Sequence, residues 1–273
     1  MVFNRVKLHG QACLAAIQFL TRFPVPVNVP FEKPVLTRSI IYFPFAGLLI
    51  GFCLSAAAWA FGLILPPWPA AVLLLALWVA LSGGLHLDGW MDTADGVLSH
   101  RDRDKMLDIM KDSRVGAMGV LAAVLLLLLK ASLLAELLKN SGRNDIPLGA
   151  LLIGCACLGR AWMAAAIGGW KPARPNEGIG RLFNGVNKMS VIHSLFVAAV
   201  FSFTSLMISG INYKISILLL FSALAITFLC GWAMASWLNK KLGGLTGDTY
   251  GAMNEAVETA LLLAIVIWQQ TTG

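Results

Sequence analysis

The sequence predicts an all-α protein, a polytopic membrane helix bundle of about seven transmembrane helices with an N-terminal amphipathic interfacial helix. Three observations carry this. The 273 residues are 58% hydrophobic and only 13% charged, and their mean hydropathy is +0.76, far from the balance of a soluble domain. Apolar runs recur at roughly residues 41–62, 68–85, 117–138, 147–167, 192–210, 215–237 and 253–269, each near the ~20 residues a helix needs to cross hydrocarbon. The runs are long and do not alternate, which suits helices rather than barrel strands.

Taken in order, the first stretch, MVFNRVKLHGQACLAAIQFLTRFPVP, places Lys7 and His9 before a short apolar run and lacks a small-residue cleavage site. It reads as a helix on the membrane surface rather than a removable signal. No soluble domain, repeat or low-complexity tract interrupts the rest of the chain, so residues 1–273 form one membrane domain. Its parts are an interfacial segment, 1–38, and three polar segments on the same side, 86–116, 168–190 and 238–252. Basic residues concentrate on that side, among them Arg22, Arg38, Arg101, Arg103, Lys171, Arg174 and Lys240, against Lys139, Arg143 and Lys214 on the other. The positive-inside rule makes the rich side cytoplasmic. The net charge of +7 is thereby explained as orientation first, with no need for nucleic acid. The five cysteines lie in or beside apolar runs without CxxC spacing and read as packing residues.

Against this apolar background, HLDGWMDTADGV at 86–97 holds Asp88, Asp92 and Asp95 with no Lys or Arg among them. On a helix the i, i+4, i+7 spacing puts all three on one face. Carboxylates ~5–6 Å apart repel by roughly 3 kcal/mol per pair at an effective dielectric near 20. Protonation, distant basic side chains or a bound cation must offset that, and oxygen ligands at this density suit Mg²⁺ with substrate phosphates. The bland alternative is a solvated acidic face, which ordinarily interleaves Lys; here the neighbours are Leu87, Trp90, Met91 and Val97.

A second acidic group lies far along the chain, with Asp248 in GGLTGDTYGA and Glu255 and Glu258 at the start of the last run. Ionisable residues there are functional candidates by default, Glu255 ahead of Glu258. Gly243, Gly244, Gly247 and Gly251 would let backbone approach a phosphate, though a helix–helix turn favours them equally. In RDRDKMLDIMKDSRVGAMG, Asp104, Asp108 and Asp112 suit a surface helix stitched by ion pairs, which Asp112, Ser113 and Arg114 end at Gly116. Arg114 there can fork onto a phosphate. His86 stays open between metal ligand, base and interfacial histidine. Arg160 either snorkels or, facing the bundle, clamps phosphate, and Lys130 sits inside a run with no evident partner. No GxSxG, GxxxxGK[ST] or GxGxxG after a strand occurs. Metal-assisted attack of a substrate hydroxyl on a phosphoester is the chemistry these residues support without a protein nucleophile.

The chain resembles the cobalamin synthase family, the adenosylcobinamide-GDP ribazoletransferases. The likeness spans nearly the whole sequence and rests on FLTRFPVP at 19–26, RSIIYFPFAG at 38–47, GGLHLDGWMDTADGV at 83–97, the 101–119 stretch, NEGIG at 176–180 and LGGLTGDTYGAMNE at 242–255. Trp90 and Met91 depart from the smaller or aliphatic residues usual there, a matter of packing. The resemblance implies an Mg²⁺-dependent enzyme of the cytoplasmic membrane that joins adenosylcobinamide-GDP to α-ribazole, or its 5′-phosphate, and releases GMP. Its partners are those substrates and the lipid bilayer, without nucleic acid, and homo-oligomerisation is left open. The expected metal ligands are Asp88, Asp92, Asp95 and Asp248; the expected catalytic residues are Asp92, Asp248, Glu255, Arg114 and His86. Substrate binding is expected from Asp112, Ser113, Arg114, Arg181, Arg22, Gly244, Thr246 and Gly247. Two rival readings are a CDP-alcohol phosphotransferase-like lipid enzyme and a cation-coupled transporter. The first requires Ala–Arg where Asp92–Thr93 stand, and the second places its acids at the membrane midplane rather than at one face.

Overall fold

The computed structural model describes residues 2–140 and 147–272, so Arg143 lies outside the described residues. Helix α1 (Val2–Leu20) is followed by α2 (Lys33–Ser39), a short 3₁₀ turn (Ile40–Tyr42) and α3 (Phe43–Ile64). Then come α4 (Pro67–Ser82), α5 (Leu85–Val97), α6 (Arg103–Ile109), α7 (Ala117–Asn140) and α8 (Leu148–Gly169). The chain closes with α9 (Gly178–Leu182), α10 (Lys188–Ile208), α11 (Tyr213–Leu242) and α12 (Gly247–Thr272). Among the described residues there is no strand, only an isolated bridge between Pro172 and Leu245.

Among the described residues six helical stretches are long and apolar enough to cross a membrane: Lys33–Ile64, Ala117–Asn140, Leu148–Gly169, Lys188–Ile208, Tyr213–Leu242 and Gly247–Thr271. A seventh is reached by taking α4 and α5 together as one broken crossing bent by 89°. The polytopic all-α bundle expected from composition is what the chain adopts. The expected run at 68–85 is, however, cut short. Gly83 and Gly84 both take left-handed conformations, φ 66° and 72°, which glycine enters without a Cβ penalty. They end α4 and launch α5 across the end of the bundle. The polar segment at 86–116 accordingly holds two helices, α5 and α6. Helix α6 stops at Ile109, and residues 112–114 lie in the turn beyond it instead of ending a continuous helix.

Helix α8 is the enclosed centre, and it packs most extensively on α3. Gly47 and Gly51, one turn apart, make that contact possible. A Cβ on Gly47 would run into the Ala156 carbonyl, and one on Gly51 would sit 2.6 Å from Ile153 Cα. Close backbone approach between small residues is how helices associate where lipid removes the hydrophobic drive. Ser55 Oγ donates to the Gly149 carbonyl at 2.8 Å and fixes the same pair further along. By contrast α10 and α11 turn Phe196, Leu218, Phe221 and Trp232 outward, a lipid-facing surface. Helix α1 buries Ala12, Ala15, Ala16 and Leu20 against α2 and α3.

Gly47→Val should lower the thermal unfolding midpoint in detergent, through overpacking of about 1–3 kcal/mol. Gly62→Ala on the same helix, where a Cβ meets nothing within 4 Å, should leave it unchanged.

Candidate functional site

Helix α5 crosses the start of α12 at two glycines. A Cβ on Gly89 would lie 2.5 Å from the Asp248 carbonyl oxygen, and one on Gly251 3.1 Å from His86 Cα. This contact is what unites the two acidic groups of the sequence. Asp92 feels the charges of Asp88, Asp248 and Asp95, and Asp248 that of Asp88. Among the described residues none of the four forms an ion pair, so their mutual repulsion stands uncompensated by any cation within 4.0 Å. Asp88 and Asp248 line a cavity of about 60 Å³ together with Phe19, His86, Met163 and Tyr250. A larger cavity of about 220 Å³, between α8, α10, α11 and α12, is apolar and touches none of the acids.

The start of α12 is shaped by its own residues. Thr246 N–H donates to Thr249 Oγ1 at 2.9 Å, Thr249 N–H donates back to Thr246 Oγ1 at 3.3 Å, and Thr246 Oγ1 donates to Asp248 Oδ2 at 3.3 Å. Thr246 is thereby engaged in capping the helix, in the reciprocal manner of a capping box. Gly244, expected to admit a phosphate, admits backbone instead. A Cβ there would be 2.6 Å from the Pro172 carbonyl carbon, and Ala173 N–H donates to the Leu245 carbonyl at 2.8 Å. The 171–174 segment thus closes on the turn before α12. Arg103 completes this joint: its Nε donates to the Leu242 carbonyl at 2.7 Å, closing the end of α11.

Asp95 differs from its two neighbours on α5. Its Oδ2 accepts from Gly116 N–H and its Oδ1 from Gly119 N–H, both at 2.7 Å, so it caps α7. Gly116 and Gly119 leave room for it, since a Cβ at either would collide with the carboxylate. The four expected metal ligands therefore do not form one cage. Among the described residues no three His, Cys, Asp or Glu side chains are disposed to hold an ion.

Glu255, expected among the catalytic residues with Asp248, is engaged in an ion pair inside the bundle. Its Oε2 accepts from Lys130 Nζ at 2.6 Å. Glu258 Oε2 accepts from the same ammonium at 2.9 Å, and its Oε1 accepts from Arg160 Nη1 at 2.8 Å. Lys130 also lies 4.8 Å from the Trp78 ring centroid. Lys130 thus has two partners, and Arg160, at 0% exposure, faces the bundle and pairs with Glu258 instead of snorkelling. His86 is buried, with its Nδ1 in hydrogen-bond contact with the Asn254 side-chain amide at 3.0 Å.

The remaining expected residues sit around the same end. Arg22 N–H donates to the Leu81 carbonyl, and its side chain lies over Gly83 at the α4–α5 elbow. Arg114 and Asp112 pair with each other, Nη2 to Oδ2 at 2.6 Å. The hydrogen bonds from Arg114 hold the Asp112 carboxyl down at about 2. Ser113 beside them is exposed, as is Arg181 on α9. Lys111 bridges to Glu177, whose carboxyl it holds below the usual range, and so ties the turn after α6 to the segment before α9. Gly247 lines the small cavity. Arg174 is a residue that charge counting places only by side, yet it acts electrostatically on Asp248.

The profile of the cobalamin-5-phosphate synthase family matches residues 12–266. The chain belongs to this family. Relatives named adenosylcobinamide-GDP ribazoletransferase include those of Brevibacillus brevis, 39% identical with 93% of this chain and 97% of the relative covered, and Klebsiella pneumoniae, 39% identical with 92% and 98% covered. That of Roseiflexus sp. is 38% identical over 92% of this chain and 88% of its own. No solved structure matches. The acids of α5 and α12 fall into two classes, those that hold helices together and those gathered at the small cavity.

The two classes should separate by stability. Asp95→Ala should cost about 1 kcal/mol or more as a lost cap, read as a lower unfolding midpoint, while Asp88→Ala should cost nothing. Lys130→Met should be the most damaging, about 3–5 kcal/mol, because it leaves buried carboxylates short of a cation. Lys130→Met combined with Glu255→Gln should recover part of that loss.

Proposed function

We propose that this chain is a membrane-bound adenosylcobinamide-GDP ribazoletransferase, acting on the substrates its relatives are named for. The observation that carries this reading is the set of carboxylates without an ion pair among the described residues, Asp88, Asp92 and Asp248, gathered at one end of the bundle in a chain that shares the family over nearly its full length. In the proposed reaction the hydroxyl oxygen of α-ribazole, or of its 5′-phosphate, forms a bond to the phosphorus attached to the corrinoid. The bond from that phosphorus to the oxygen shared with the guanosine phosphate breaks, and GMP leaves with the electron pair.

The donor set fits Mg²⁺ as that ion is usually held, by one or two carboxylates and the substrate's own phosphates rather than by a protein cage. Asp88 and Asp92 would hold it, and bound there it would supply charge neutralisation at the diphosphate. Asp248, at the start of α12 on the cavity wall, accepts the proton of the attacking hydroxyl. Arg174, with Arg114 and Arg181 at the exposed rim, offsets charge on the departing GMP. Arg114 must first share or release Asp112. We place the protein in the cytoplasmic membrane, with this end of the bundle facing the cytoplasm, on the strength of the basic residues gathered there.

The experiment is GMP release from adenosylcobinamide-GDP by the protein in nanodiscs, with and without α-ribazole, at saturating Mg²⁺. Release should depend on ribazole. Asp92→Asn and Asp248→Asn should each lower turnover by about 10²-fold or more, the scale of losing general-base or charge-stabilising groups. Wild-type rates in both variants would remove these residues from catalysis.

A further inference from the structure

The larger cavity, about 220 Å³ between α8, α10, α11 and α12, lies toward the end of the bundle opposite the carboxylates, since α12 begins with Asp248 and reaches the cavity only at residues 261–268. It runs between Ile215 and Ile226 on α11, a rise of about 16 Å, and between Ala150 and Leu158 on α8, about 12 Å. That is close to half of a hydrocarbon layer ~30 Å thick. No charged side chain lines it, and an apolar space of this kind stays dry and takes an apolar guest.

Three features indicate the guest. Ile215 and Leu218 line the cavity and are 42% and 64% exposed, on the same outward surface as Phe221, so it opens sideways to lipid rather than to water. Gly154 of α8 keeps it open. At Gly47, Gly51 and Gly159 a neighbouring atom already stands where Cβ would be, whereas a Cβ on Gly154 would meet only Ser202, at 3.7 and 3.9 Å. Packing inside the chain does not require a glycine there, although glycine weakens a helix relative to alanine. The third feature is charge at the mouth. Lys214, one turn before Leu218 on the same face of α11, is exposed and has no ion pair among the described residues, whereas Lys139 at this end is held by Glu136. Asn212 caps α11 by accepting from Lys214 N–H, and the positive start of that helix adds to the field of the lysine.

We propose that this groove binds one acyl chain of an anionic phospholipid, the chain lying between α8 and α11 and the phosphate pairing with Lys214. Bound there, the lipid fastens α10 and α11, the helices most open to the bilayer, onto the enclosed α8 and the last half of α12. Its role is to stabilise the assembled bundle, and it is independent of the transferase reading. Helix α11 ends at Leu242, whose carbonyl receives Arg103, so a lipid that seats α11 also steadies the joint at the far end.

The test uses the full chain stripped of lipid in a maltoside detergent, with phosphatidylglycerol and phosphatidylcholine of identical chains as probes. Phosphatidylglycerol should leave a single bound lipid in native mass spectrometry and raise the unfolding midpoint by about 5–10 °C at about 100 times its dissociation constant. Lys214→Gln should weaken that binding about 5-fold, to the level of phosphatidylcholine, the scale of one surface cation on an anionic headgroup. Lys139→Gln should not. Gly154→Leu, whose side chain enters the groove, should lose both the bound lipid and the shift while unfolding no lower than lipid-free wild type. A diazirine in the acyl chain should cross-link wild type on α8, which its neighbours enclose and bulk lipid does not reach; this arm decides the site even if Gly154→Leu fails to fold. Lipid retained by Gly154→Leu as by wild type, equal binding of the two headgroups, or cross-links confined to the outward residues of α10 and α11 would each overturn the proposal. So would a wild-type dimer that Gly154→Leu converts to monomer, since a second copy would then be what fills the groove.

Discussion

Two carboxylates and two cations lie inside the bundle, where each is tolerable only because the others are there. Glu255, Glu258, Lys130 and Arg160 are all below 10% exposure and sum to no net charge. Removing such charges from water costs several kcal/mol each even after relaxation, and the geometry here returns part of that through three short contacts. What the arrangement adds is register. Lys130 belongs to α7, Arg160 to α8 and the two glutamates to α12, so three helices can meet in one relative rotation and depth only. An apolar interface of leucines would tolerate a slip of a turn; this one would strand an ion.

That register is what brings the distant acids together. Helix α12, pinned at Glu255 and Glu258, carries Asn254 one residue earlier and Asp248 about two turns earlier. Helix α7, pinned at Lys130, begins where Asp95 of α5 caps it. Helix α5 is therefore held from both sides, by the cap on α7 and by the glycine crossing with α12, and Asp88 and Asp92 are held with it. The outer joint, where residues 171–174 meet the turn before α12 and Arg103 closes α11, keeps the same end of the bundle assembled from the side of the loops.

Much of this is legible in the sequence. Long apolar runs announce the helices, and aspartates spaced i, i+4, i+7 with no basic neighbour mark the face of α5 on which Asp88 and Asp92 gather. Gly83–Gly84 carry the signal for the elbow, since paired glycines at the end of an apolar run suggest a left-handed turn, but a hydropathy window averages across them. Partner choice is not legible. Lys130 and Glu258 are separated by 128 positions, and helices apolar on nearly every face give no phase from which to tell which side chains meet. The same blindness makes Glu255 resemble Asp248, Asp95 resemble Asp88, and Gly244 resemble a phosphate loop. In each case the residue type fits a ligand role, and only the neighbour across the interface, an ammonium, a helix start or a backbone segment, distinguishes it.

The brevity of α4 has its own consequence. Its 16 residues rise about 24 Å, against a hydrocarbon layer of about 30 Å, before the elbow turns the chain aside. A helix that short is accommodated by local thinning of the bilayer or by polar groups at its end reaching outward, and here the end that falls short is the elbow that carries α5.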